Sequence, residues 1–263
     1  MRTTVGSLLV LLLGMVLDLH PRPAAAAEEG LVARGKAVYE VSCVICHGPK
    51  GDGKGLTGVI HRAQAHGVVI QLYPRDFTAG MFKFRTTPTG YLPTDDDLLH
   101  TITEGIPRSG MPSHQDVALA DRQAVIAYIK TFSKRWQEEE AGTPVKIGKV
   151  PTYVSTAESV KRGKELYKKV GCFQCHGLSG KGDGPSSDTL KDAWGDKILP
   201  FDFTSGTLKM GSGAVDIYRT FVTGLDGTPM PSYEESLDEQ QRWDIVSYCL
   251  DLMQQWKPQV VQQ

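Results

Sequence analysis

The sequence predicts an all-α protein made of two tandem copies of one small helical domain, and three observations carry that prediction. Four blocks recur in the same order in both halves, apolar positions follow helical spacing, and period-two runs bounded by turns are lacking. "RGKAVYEVSCVICHG" (34–48) returns as "RGKELYKKVGCFQCHG" (162–177), and "PRDFTAGMFKF" (74–84) returns as "PFDFTSGTLKM" (200–210). "EGIPRSGMPS" (104–113) is answered by "TGLDGTPMPS" (223–232), and "AVIAYIKTF" (124–132) by "DIVSYCLDL" (244–252). At 263 residues, 40% hydrophobic and 22% charged, the chain has the length and apolar content for two cores. A formal charge of −1 supplies no basic field for duplex nucleic acid, so no nucleic-acid partner is expected.

Taken in order, the first element is an export signal. Arg2 precedes the apolar run "SLLVLLLGMVL", and the Ala24–Ala27 run offers a small-residue cleavage site before Glu28. The run is about half of what a membrane span needs, and no other stretch approaches one, so a soluble mature chain is expected. Cleavage would leave 27 basic and 29 acidic side chains, a mildly acidic surface. Residues 28–148 then form a first domain, with a linker from about 137, and residues 149–263 a second. The segment 137–156 mixes charge, Gly and Pro without apolar periodicity, which is linker composition.

Within each domain "LVARGKAVYEV" and "VKRGKELYKKV" predict amphipathic helices running into the cysteine segments. "TDDDLLHTITEG" predicts a helix capped by Thr94, its acids favoured by the helix dipole rather than gathered for a cation. "SLDEQQRWDIVSYCL" predicts a capping box at Ser236 and Glu239, opening a helix that ends near Trp256. Cys249 answers Ile129 of the first copy, so a buried apolar role is expected for it.

Chemistry concentrates in Cys43-Val-Ile-Cys46-His47 and its repeat Cys172, Cys175 and His176. Two thiols at i and i+3 with an imidazole at i+4 share one face of a helical turn. That set suits a covalently attached haem, each sulfur forming a thioether and the ring nitrogen binding iron. A zinc site would need four ligands, but the two pairs lie 129 residues apart, each with its own His. A thioredoxin-like pair would need a βαβ setting, and a disulfide across two residues would be strained and would leave the His unexplained. "GPKGDGKG" (48–55) has Gly55 where a phosphate-binding loop needs Ser or Thr, so both glycine-rich stretches are expected to be flexible turns at the haem edge.

For the second axial position, His61, His66, His100 and His114 have no His counterpart in the second copy. They are expected at the surface or near the haem carboxylates. Met81 and Met210 face Thr207 and Phe84 in the repeat, which leaves Met111 and Met230 as the paired candidates, each in an "MPS" loop. Thioether ligation favours ferrous iron and raises the potential. The metal ligands expected are thus His47 and Met111, then His176 and Met230.

These residues together resemble class I cytochromes c in a tandem dihaem form, over nearly the whole mature chain. The resemblance implies crossed terminal helices, with Gly35 or Gly163 allowing close approach and Tyr39 or Tyr167 meeting Tyr128 or Tyr248. It also implies a Pro carbonyl behind each proximal His, for which Pro74 and Pro200 are the candidates. The "PRDFT…FKFRTT" block is similar to dihaem cytochromes that accompany periplasmic respiratory oxidoreductases, including molybdenum enzymes of nitrogen-oxide metabolism. The function expected is a periplasmic carrier with two covalently bound haem c groups, moving single electrons without bond chemistry. Its partners would be redox proteins such as a dehydrogenase or reductase complex, a quinol-oxidising complex or a terminal oxidase. A dihaem peroxidase and a permanently bound redox subunit are the alternatives.

Overall fold

The computed structural model describes residues 23–63 and 69–254. The expected export segment 1–27 lies outside them except for its last residues, as do His66 and the predicted helix end at Trp256. The first half runs α1 (Pro23–Ser42), α2 (Val44–His47), a hairpin of β1 (Ile60–Ala63) and β2 (Val69–Leu72), α3 (Asp95–Glu104), α4 (Leu119–Lys130) and α5 (Arg135–Glu138). The second half runs α6 (Ala157–Lys169), α7 (Phe173–His176), α8 (Ala214–Thr223) and α9 (Glu239–Gln254). The architecture is all-α, with each half holding its own core.

In each half the first long helix crosses the last, α1 on α4 and α6 on α9. The crossing depends on a notch. A Cβ on Gly35 would lie 1.9 Å from the Ala124 carbonyl oxygen, and one on Gly163 would lie 1.9 Å from that of Asp244. Only a hydrogen at these positions lets the backbones meet. One turn on, Tyr39 packs edge-on against Tyr128, and Tyr167 against Tyr248, both at 5.2 Å between ring centroids. Around these pairs gather Val125, Ile126 and Ile129 in the first half, and Trp243, Ile245 and Val246 in the second. Cys249 is 1% exposed inside the second core, where burial holds its thiol far above the usual range.

Capping follows the sequence in α3 and departs from it in α9. Thr94 Oγ1 accepts from the Asp97 N–H at 3.2 Å, and Asp97 Oδ2 accepts from the Thr94 N–H at 2.9 Å. Asp97 also accepts from the Thr86 backbone and hydroxyl, so this carboxylate is committed to the fold. Among the described residues no acidic cluster has metal-holding geometry. In α9 the cap is Asp238, not the expected Ser236. Asp238 Oδ1 accepts from the Gln241 N–H at 2.8 Å, and Gln241 Oε1 accepts from the Asp238 N–H at 3.0 Å. Residues up to Leu237 are drawn into an earlier turn by the Leu237 N–H bond to the Tyr233 carbonyl, which moves the start two residues on.

The hairpin is a second departure from expectation. β1 and β2 pair antiparallel, Ile60 opposite Leu72 and Ala63 opposite Val69. Four-residue strands without clean alternation leave little periodic signal, and tertiary contact decides them. Ile60 leans on the Met loop so closely that a Cβ on Gly110 would fall 1.7 Å from Ile60 Cδ1.

The segment 137–156 also carries more structure than its composition suggests. Gly142 N–H donates to Leu92 O at 3.2 Å and Val145 N–H to Thr86 O at 2.8 Å, while Val145, Ile147 and Val154 pack against the second core. A second tie is Arg85, whose side chain is fully buried. It donates to the Phe82 and Thr223 carbonyls and pairs with Asp226 at 2.8 Å, while Asp226 also accepts from Thr89 and Gly90. Among the described residues no helix is long and apolar enough to cross a membrane.

Candidate haem-binding sites

Each Cys-x-x-Cys-His segment is one turn of helix, closed by the His47 N–H to Cys43 O at 2.9 Å and the His176 N–H to Cys172 O at 2.9 Å. The next residue stops the turn. Gly48 (φ 78°, ψ 157°) and Gly177 (φ 77°, ψ 160°) hold a conformation that only glycine takes without strain. Their carbonyls are pinned by the core tyrosines, Tyr39 Oη donating to Gly48 O at 2.7 Å and Tyr167 Oη to Gly177 O at 2.8 Å. The helix crossing is therefore wired directly to the histidine turn.

The glycine-rich stretches are turns, and their backbone is hydrogen-bonded to the cysteine turn. Gly53 N–H donates to His47 O, Gly55 N–H to Cys46 O and Thr57 N–H to Ile45 O. In the repeat, Gly182, Gly184 and Ser186 donate to His176, Cys175 and Gln174. The loop is laid back along the cysteine turn, and glycine is needed because the chain passes against other backbone. A Cβ on Gly53 would sit 2.6 Å from Pro74 O, and one on Gly182 would sit 2.7 Å from Pro200 O.

That contact also corrects the expected histidine partners. The Pro74 and Pro200 carbonyls face the glycines, and the next residues take the imidazoles. His47 Nδ1 lies 3.1 Å from Arg75 O, and His176 Nδ1 lies 3.1 Å from Phe201 O. A carbonyl can only accept, so Nδ1 carries the proton and Nε2 keeps its lone pair. Burial lowers the pKa of both rings, which keeps them neutral as metal binding requires. Phe77 stacks on His47 at 4.5 Å and Phe203 packs on His176 at 5.1 Å. Sequence reasoning gave these two rings no role, although the repeated "DFT" blocks carried the signal. Asp76 and Asp202 shape those blocks, each bonding the N–H and hydroxyl of the Thr two residues on.

The Met loops have matching closures. Ile106 N–H donates to Met111 O at 2.9 Å, and Leu225 N–H donates to Met230 O at 3.0 Å. Ser113 Oγ reaches Thr103 O and Ser232 Oγ reaches Val222 O, which ties each loop to the end of α3 or α8. Cys43, Cys46, His47 and Met111 line one cavity of about 1100 Å³. Cys172, Cys175, His176 and Met230 line the same cavity from the other half. It exceeds the roughly 300–1,000 Å³ of a usual small-molecule pocket. No cysteine is in a disulfide, and burial pushes the Cys43 and Cys172 thiols up to about 11. Free thiols and a neutral Nε2 around one large cavity are a donor set that fits haem c.

The remaining histidines are dispersed. His100 is exposed, His61 Nε2 meets Gln71 on the hairpin, and His114 lines the shared cavity from the first half.

Family models match both halves of the chain. A cytochrome c family model matches residues 160–252, and a model described as cytochrome C oxidase, cbb3-type, subunit III, matches residues 30–129. Among solved structures, a chain of the Kuenenia stuttgartiensis reducing HAO-like protein complex Kustc0457/Kustc0458 is similar at 40% identity and a TM-score of 0.75. The match covers 83% of this chain and 95% of that one. No curated protein matches the chain. Cytochrome c domains bind haem c and carry electrons, and with one such domain in each half the chain belongs to the cytochrome c family as a tandem class I member.

Proposed function

We propose that the chain is an exported, periplasmic dihaem cytochrome that passes single electrons between respiratory redox proteins. Cys43 and Cys46 hold one haem through thioethers, and Cys172 and Cys175 hold the other. His47 and Met111 ligate the first iron, His176 and Met230 the second. The observation that carries this reading is the doubled arrangement around the cavity: neutral imidazole, thiol pair and closed Met loop occur in both halves. A haem supplies a one-electron iron couple when bound. The chain's part is to fix the ligands, exclude water and set the potential.

The similar chain from a reducing HAO-like protein complex favours a working state docked to a larger redox enzyme. The test is the mature protein exported in a host that attaches haem c. Its mass should include two haems and its ferric spectrum should be low-spin. Met111→Ala and Met230→Ala should each convert one haem to a high-spin form. A colourless product, or Met variants with both low-spin signatures intact, would refute the assignment. Peroxide turnover by the reduced protein would favour a peroxidase instead.

A further inference from the structure

The two residues whose carbonyls face the proximal imidazoles, Arg75 and Phe201, each have their side chain held by the opposite half. Neither residue belongs to a helix or strand, so contacts around the loop decide where its carbonyl sits. Arg75 lays its guanidinium over the Trp194 ring at 4.6 Å, and Trp194 Nε1 donates to Asp76 Oδ2 at 3.2 Å, one residue beyond that carbonyl. Trp194 is itself fixed to the second half. Its N–H donates to Asp192 Oδ1 at 3.0 Å, and the Ala193 N–H donates at 3.0 Å to Gly227 O, inside the Met230 loop. The first half returns the contact from its own Met loop, where Arg108 places its guanidinium over the Phe201 ring at 5.1 Å. Arg108 Nη1 also donates to the Ser205 and Thr207 carbonyls, at 3.4 and 2.5 Å, and Nη2 to Ser205 Oγ at 3.2 Å. Ser205 Oγ in turn donates at 2.7 Å to the carbonyl of Asp202, the residue after Phe201.

Resting on the two-haem reading above, we propose that Trp194 and Arg108 are reciprocal positioning residues, each bracing the carbonyl that orients the proximal histidine of the other half. Trp194 sets how firmly Arg75 O holds His47, and Arg108 sets how firmly Phe201 O holds His176. A hydrogen bond at Nδ1 fixes the ring and makes the imidazole a stronger donor, which favours ferric iron. Loosening a brace therefore raises the potential of the haem across the seam, not of the haem beside it. The sign separates this from a charge effect. Removing a nearby cation makes reduction harder and lowers the potential. Trp194 is neutral, and Lys at position 108 keeps the charge while losing the planar fork that spans Ser205 and Thr207.

The experiment compares the holoprotein with Trp194→Leu, Trp194→Phe and Arg108→Lys. Proton exchange at Nδ1 of His47 and His176 is read by nitrogen-edited NMR of the ferrous state. Potentiometric titration gives both potentials, each assigned through the histidine signal that follows it. Mass and the low-spin spectrum are recorded for every variant, so haem or ligand loss is read separately from a shift. Trp194→Leu should speed exchange at His47 by roughly two- to tenfold, the range of one neutral hydrogen bond, and raise the first potential while leaving His176 as in the parent. Trp194→Phe keeps a ring for Arg75 but not the bond to Asp76, and should act in the same direction more weakly. Arg108→Lys should speed exchange at His176 by a similar factor, raise the second potential and leave His47 unchanged. If the variants act on the histidine of their own half, on both alike or on neither, the bracing is wrong while the two-haem reading stands. A parent protein carrying fewer than two haems by mass would sink the functional reading and the bracing together.

Discussion

The two halves cross their terminal helices through the same glycine notch but lock the crossing with different chemistry. In the first half, α1 meets α4 over Ala124, and the polar contact is the Arg34 to Asp121 pair at 2.6 Å, with side chains 52% and 29% exposed. In the second half, Asp244 stands where Ala124 does and is 2% exposed. It accepts from Ser159 at 2.6 Å and takes two bonds from Arg162 at 2.8 Å, while Ser159 also meets Ser247, which in turn accepts from the Ser155 N–H. The backbone geometry of the crossing is thus independent of the lock. A hydrogen in place of a methyl makes the approach possible, and either an apolar surface or a satisfied polar network can then hold it.

Gly35→Ala and Gly163→Ala should produce the largest effects and affect both halves alike. A methyl group 1.9 Å from a carbonyl forces the helices apart, so each should cost about 3 kcal/mol or more despite alanine's better helix propensity. Chemical unfolding followed by far-UV circular dichroism measures this, and a stability within 1 kcal/mol of the parent, a bound set by that ~3 kcal/mol estimate, would show the notch to be unimportant. Next comes Asp244→Ala, which takes the buried carboxylate acceptor away from Ser159 and Arg162 and should cost about 2 kcal/mol, since Ser159 keeps Ser247 and partly exposed Arg162 can find water. Asp121→Ala, its surface counterpart, should cost about 0–1 kcal/mol. Equal losses for these two would erase the contrast between the locks.

The smallest effect expected is a pH dependence in the first half. The hydrogen bond from Arg135 holds the Glu139 carboxyl below its usual value, while Arg135 also grips the Gly80 and Gly90 carbonyls at 2.8 Å. Because the folded-state pKa is depressed, the stabilisation is present above about 4.5 and disappears as pH falls through the lower folded value. Glu139→Gln should therefore unfold at the same denaturant concentration as the parent at low acid pH and earlier at neutral pH. An identical difference at every pH would assign the effect to packing.

A further asymmetry lies beside the cysteine turns. The first half inserts the β1–β2 hairpin between the glycine loop and Pro74, where the second runs through a short helical turn at Ser187–Thr189. The hairpin was illegible because its strands are four residues long and have no matching block in the repeat. The cap of α9 was misplaced for a related reason. Ser236 and Glu239 satisfy the local pattern, but the turn through Tyr233 and Leu237 decides where the helix begins. The Arg75 and Phe201 carbonyls went unseen because any residue has a carbonyl, and only the path of the loop chooses which one reaches the imidazole.

What the sequence alone determined was the duplication, the helical class and the thiol–imidazole sets, while the Gly and Tyr pairing at each crossing came from the family resemblance. Each of these is carried by side chains at fixed spacing, or by the absence of one. The tertiary structure decided what depends on approach between distant segments: the carbonyl that orients each histidine, the rings stacked on them, and the meeting of both sites in one cavity. Backbone groups are chemically alike along the chain, and side chains from two halves meet only where folding brings them together. No local pattern encodes either.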